Sequence, residues 1–140
     1  MPNNKQKINT DKLEIDTITQ LFYSIFTNTS QKPDWNIINE VCIPETIIIK
    51  KTGTAEVIYN VKSFIKPRRK ILTDGTLTDF KEWETEEETK IIKNIAQRFS
   101  KYQKSGYLQG TYFKQNGKKL FQFIKTESGW KISSLIWEDD

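Results

Sequence analysis

Histidine is missing from this chain altogether, and Cys42 is its single cysteine. The first absence removes Ser-His-Asp and Cys-His nucleophilic sites and histidine-ligated metals together. The second removes thiolate zinc sites and any disulfide within the chain. No metal and no cofactor is therefore expected, and catalysis would fall to carboxylates, Lys, Tyr or Arg. The lone thiol, in "VCIP", is read as buried and inert; it fits a reducing compartment, and a cytoplasmic location is the expectation. No run approaches the roughly 20 apolar residues of a membrane span. The opening "MPNNKQKINTDK" is polar, without the apolar centre of a secretory signal.

Only 36% of the residues are hydrophobic, but 12% are aromatic, and large rings supply much buried area per position. That composition is unlike a disordered chain. At 140 residues the chain has the length of one domain with one core. The net charge of +4 is carried almost wholly by lysine.

Residues 1–10 read as a flexible leader, and 11–140 as a single domain. Asp11 is placed as the start of a helix, with Glu14 three residues on as in a capping box. Ile15, Ile18, Leu21, Phe22, Ile25 and Phe26 then make one apolar face at helical spacing. A short helix over 35–41 stops before Pro44. "TIIIKK" and "AEVIYN" read as strands around a glycine turn. Ser63 is placed as the cap of a third helix over 64–73, which keeps Pro67 near its first turn. From Leu77 the period changes to two, with strands expected at 77–87, 90–104, 118–126 and 129–138. A loop holding Gly106, Gly110 and Gly117 is expected between them. Helices first and an antiparallel meander afterwards give an α+β layout. The apolar terminal hairpin is then sheet interior, fraying only at "EDD".

The stretches "VKSFIKPRRKILTDGTLTDFKEWE", "NIAQRFSKYQKSG" and "FQFIKTESGWKISSLIWEDD" resemble the nuclear-transport-factor-2-like superfamily, which also holds ketosteroid isomerases and polyketide-cyclase-like proteins. The resemblance covers roughly residues 11–139. It implies a cystatin-like cone, with three N-terminal helices packed on a strongly curved antiparallel β-sheet around a cavity. It also makes a homodimer through the sheet the expected assembly. In several such proteins a histidine stands where this chain has Gln97, so an activity resting on that histidine is not implied here.

Strand alternation groups the candidate site residues. Ala96, Arg98, Ser100 and Tyr102 share one face. Leu120, Gln122 and Ile124 share a face of the hairpin, as do Ile132, Ser134 and Ile136. Arg98, Tyr102, Gln122 and Ser134, with Trp83 and Trp137, are the expected ligand-binding residues of a mostly apolar cavity. Alternatively, Arg98 pairs internally with a glutamate and Gln122 satisfies backbone. Which sheet face lines the cavity is left open. Glu82, Glu84 and Asp79 in "DFKEWETEEE" are the candidate catalytic bases, Asp79 sharing a face with Trp83 and Glu82 with Glu84. Glu86 to Glu88 read as a solvated acidic edge. "KPRRK" at 66–70 reads as a solvated helix face, and nucleic-acid binding is not expected. The function that fits best is a module binding a small apolar molecule. An isomerase- or cyclase-like enzyme and a dimeric interaction subunit with a collapsed cavity are the alternatives.

Overall fold

A computed structural model describes residues 4–140. Helix α1 spans Asn4–Ser24 and α2 Ile37–Val41; strands β1 (Cys42–Thr52) and β2 (Ala55–Tyr59) follow, then helix α3 (Val61–Thr73). Four long strands complete the chain: β3 (Leu77–Ile92), β4 (Ile95–Leu108), β5 (Thr111–Thr126) and β6 (Gly129–Asp139). They form one six-stranded sheet in the order β2-β1-β6-β5-β4-β3. Every pairing is antiparallel except that of β1 with β6. The terminal hairpin is sheet interior, as its apolar sequence requires, because β6 lies between β5 and β1. It does not fray at "EDD", since Asp139 is held by Tyr102 and Lys104.

Helix α1 begins at Asn4, seven residues before the expected start, so most of the supposed leader is helix. Residues 1–3 of that leader lie outside the described residues. Asp11 and Glu14 therefore sit within a helix and cap nothing. Asp11, 3% exposed, accepts from Trp130 Nε1 at 3.0 Å and from Lys125 Nζ at 2.9 Å. Glu14 accepts from the Trp130 backbone N–H at 3.0 Å. Acids three apart share a helix face, and these two tie α1 to the β5–β6 turn. Helix α3 is capped by Asn60, not Ser63. Asn60 Oδ1 accepts from Ser63 N at 2.8 Å, and Ser63 Oγ accepts from Asn60 N at 3.0 Å. Starting three residues early carries Pro67 past the first turn of the helix.

The expected loop over 105–117 is strand, apart from a two-residue turn at Gln109 and Gly110, both with positive φ (50° and 83°). That is the backbone a tight hairpin demands. Gly117, taken for loop chemistry, stands opposite Tyr102 in the β4–β5 ladder. A Cβ there would lie 2.1 Å from the Tyr102 hydroxyl, so the phenol occupies the space a side chain would fill. Gly117→Ala is expected to destabilise the fold by about 1–3 kcal/mol through overpacking, read as a lowered denaturation midpoint at unchanged m-value. A midpoint equal to that of the parent would show that Tyr102 does not need the gap.

The core lies between the helices and the concave sheet face. Phe22 and Tyr23 of α1, Phe64 of α3, Phe121 and Phe123 of β5 and Trp137 of β6 are all buried there. Their rings meet edge-on or stacked, as with Phe22 on Phe121 at 5.6 Å and Phe64 on Trp137 at 5.7 Å. On the convex side Ile92, Ile95, Leu120, Ile124 and Ile136 remain exposed.

Candidate functional site

The concave face and α3 enclose a cavity of about 660 Å³. Phe22, Phe64, Phe80, Phe113, Leu135 and Trp137 supply apolar wall, while Lys50, Arg68, Glu82, Lys104, Lys119 and Asp139 supply its charges. Strand alternation brings these charges inward. Phe121 and Phe123 point into the core, so Lys119 on the same face of β5 does too, while Lys118 faces water. On β3 the same rule turns Phe80 and Glu82 inward.

Lys119 Nζ stands 2.6 Å from Glu82 Oε1, with the two side chains only 7% and 10% exposed. The approach meets ion-pair distance but not hydrogen-bond geometry at Oε1. The same ammonium lies 3.9 Å above the Tyr102 ring, a cation–π contact. Burial pulls the Lys119 pKa below its ordinary value, against the raising influence of Glu82. Burial, then the Asp139 carboxylate, push the Tyr102 phenol far upward, so it stays a donor to Asp139. Asp139 also accepts from Lys104 Nζ at 3.1 Å.

Arg98 is inward and 2% exposed, but it does not line this cavity. It pairs internally with acids, as the alternative reading of the sequence held. Its Nε and Nη2 grip Glu84 at 3.0 and 2.5 Å, and Nη1 donates to Asp16 of α1 at 2.6 Å. Glu84 also accepts from Ser100 Oγ, which meets the Tyr23 hydroxyl at 2.8 Å. Lys12 closes the network by bridging Asp16 and Glu87. Arg98 thus fastens α1 to β3 and β4. Glu87 belongs to that network; Glu86 and Glu88 are solvent-exposed on the edge strand.

The expected convergence of Gln122 and Ser134 with Arg98 does not occur. Gln122 pairs across the ladder with Gln97 and with Ser134, on the convex face, and accepts from Ser134 Oγ at 2.8 Å. The register shift between Gln122 and Phe123 leaves Ser133 as an extra residue in β6. Such a bulge breaks the alternation, so Ile132 points inward and Ser134 outward although they are two apart. Trp83 stands opposite Gln103, with Lys81 Nζ 5.2 Å from its ring centroid, also on the convex side. Trp137 is inward, against Phe64 and Tyr59.

Of the three candidate bases, Glu82 alone reaches the cavity. Glu84 is committed to Arg98 and Ser100. Asp79 is exposed at a register shift of β3, with φ at 48°. Sequence reasoning missed Lys119, Lys104, Arg68 and Asp139 as cavity residues. The inward setting of Phe121 would have found Lys119, and pairing of Glu82 with Lys104 would have found the latter. Cys42 is buried, its thiol pushed up to about 12 by desolvation, as expected of an inert cysteine. Among the described residues no acidic, cysteine or histidine cluster fit for a metal ion occurs, and no helix is long and apolar enough to cross a membrane.

No family model matches the sequence, and no curated protein is similar to it. Solved structures are similar in shape. The Kfla4162 protein of Kribbella flavida superposes with a TM-score of 0.78 at 14% identity, over 95% of this chain and 93% of that one. A nuclear transport factor 2-like superfamily protein from Salmonella enterica gives 0.77 at 13%, over 94% and 92%. A protein of the same likeness from Novosphingobium aromaticivorans, described as having a cystatin-like fold, gives 0.74 at 12%, over 96% and 85%. At such low identities the likeness is one of fold, and it agrees with the helices on a curved sheet described above. The chain has the cone fold of the nuclear-transport-factor-2-like superfamily.

Proposed function

We propose that this protein binds a small, mostly apolar molecule inside the cone and pairs with a second copy through the convex face of its sheet. The observation that carries the first part is the open aromatic-walled cavity of about 660 Å³, within the range of small-molecule sites. An unfilled interior works against an interaction subunit with a collapsed cavity. Support for the second part is the exposure of Ile92, Ile95, Leu120, Ile124 and Ile136 on that face, since exposed apolar surface marks association sites. There Ile95 pairs with Ile124 and Leu120 with Ile136, to either side of Gln97, Gln122 and Ser134. A reducing, cytoplasmic setting accords with the lone buried Cys42.

The neutral dye N-phenyl-1-naphthylamine tests the cavity. Saturable fluorescence enhancement at one dye per chain is expected, weakened about tenfold or more by Ile71→Trp, which puts a large ring on the cavity wall. Absence of saturable binding overturns the reading. Native mass spectrometry should give twice the 16.5 kDa of one chain, reverting to one chain in Leu120→Asp; a monomeric parent would refute the pairing.

Glu82 favours one second reading, a carboxylate-based isomerase- or cyclase-like enzyme, because it is an acid inside the cavity. Against it, the Glu82 carboxylate is already ion-paired with the Lys119 ammonium at 2.6 Å. Arg98, invoked as an enolate stabiliser, is spent on Glu84 and Asp16.

A further inference from the structure

The charges facing the cavity do not balance. Four cations, Lys50, Arg68, Lys104 and Lys119, meet two carboxylates, Glu82 and Asp139, an excess of two positive charges. Lys119 takes Glu82 at 2.6 Å, while Lys104 and Lys50 share Asp139 at 3.1 and 4.0 Å. Arg68 is left over. Its Nη1 donates to the Phe64 carbonyl of its own helix at 2.9 Å, and no described carboxylate ion-pairs with it. Its guanidinium is packed among rings instead, 4.0 Å from the Phe64 centroid, 5.2 Å from Tyr59 and 5.3 Å from Trp137.

Resting on the reading of this cavity as a binding site, we propose that its occupant is an organic anion: an apolar body lying on the aromatic walls, with one carboxylate or sulfonate head held by Arg68. The guanidinium is a planar fork that matches two oxygens of such a head at once. The aromatic rings hold it in position through cation–π contact but bring no negative charge. Burial pulls the Arg68 pKa down, against the raising influence of Tyr59, Glu82 and Asp139, and a bound anion would favour the charged form directly. In a partly desolvated cavity, unbalanced charge acts more strongly than at the surface. Were Lys119 to lose its proton, one positive charge would still be in excess.

The test uses two dyes of one skeleton, 1-anilinonaphthalene-8-sulfonate and N-phenyl-1-naphthylamine, which differ by the sulfonate. The anion is expected to bind about tenfold tighter or more, the usual worth of a charge-assisted contact. Arg68→Gln should erase that preference, bringing the Kd values of the two dyes together. Arg69→Gln removes the same charge from the neighbouring exposed position, against Trp35, and should keep the preference. Equal affinities in the parent, or a preference that survives Arg68→Gln, overturn the anion proposal while neutral-dye binding leaves the cavity reading standing. Failure of both dyes overturns the cavity reading and this proposal with it.

Discussion

Replacing Arg98 by leucine should cost the fold about 3–5 kcal/mol, the usual penalty for removing one partner of a buried ion pair. For a domain of this size that corresponds to a fall in Tm of roughly 10–15 °C. The cause is what the substitution leaves behind. Glu84 loses both nitrogens that grip it, Asp16 loses one of its two partners, and Lys12 alone remains to offset these acids and Glu87. Arg98→Lys keeps the charge but not the fork, so it should recover only part of the loss. The double variant Arg98→Leu with Glu84→Leu should recover more than either single change predicts, because the stranded carboxylate is gone. Denaturant melts of the parent, the three single variants Arg98→Leu, Arg98→Lys and Glu84→Leu, and the double variant read this out. A single variant within about 1 kcal/mol of the parent would show that the network contributes little. Binding of the neutral dye should be unmoved, since Arg98 lies outside the cavity lining.

The second large effect concerns Glu82. Glu82→Gln strands Lys119, whose side chain is 7% exposed, and is expected to cost about 3–5 kcal/mol near neutral pH. This loss carries a pH signature. Burial already lowers the folded-state pKa of Lys119, and removing Glu82 takes away the main influence opposing that shift. The unfolded chain then binds more protons than the folded one between the two pKa values. Stability therefore rises with pH across that window, up to the ordinary lysine value of 10.5. The deficit of Glu82→Gln should be widest below neutral pH and narrow steadily toward pH 10. Lys119→Met alone should also destabilise, by taking away the ion-pair partner of Glu82. The double variant should lie close to the parent, because a buried pair replaced whole is often neutral. A deficit in Glu82→Gln that is flat with pH would mean that Lys119 stays solvated and the pair is not buried in solution.

Much of this architecture is legible along the chain. The helical spacing of Ile15, Ile18, Phe22 and Ile25 points to a buried face, and all but Ile18 are fully or nearly fully buried. The change of period at Leu77 marks the meander, and the aromatic closing hairpin marks an interior strand. Within β3, alternation separates Glu82 and Glu84 from Trp83, and within β4 it gathers Ala96, Arg98, Ser100 and Tyr102 on the concave face. The site was legible only in pieces. Alternation assigns residues to one of two faces but never says which face is inside. On β6 even that assignment fails, because the extra residue at Ser133 reverses the phase and sends Ser134 outward.

Local chemistry misled wherever distant contacts supplied the reason for a residue. Gly106 and Gly117 look like loop glycines; they are strand residues with the Phe80 backbone and the Tyr102 ring packed against them. Asp11 and Glu14 look like a capping pair; they answer the indole and amide of Trp130, more than a hundred residues away. Lys119 sits unmarked beside Lys118, and Arg68 beside Arg69, since a charge run gives no sign of which member is buried.

What the sequence by itself determined is the order and kind of the elements, because helical and strand periods are properties of neighbouring residues. It also determined the absence of histidine chemistry, because no folding can add a missing side chain. The tertiary structure alone decided which charges face the cavity, which acids meet Arg98 and that no carboxylate among the described residues ion-pairs with Arg68. Those facts depend on strand register and on the docking of α1 and α3, and a pairing across eighty residues leaves no local trace in either partner.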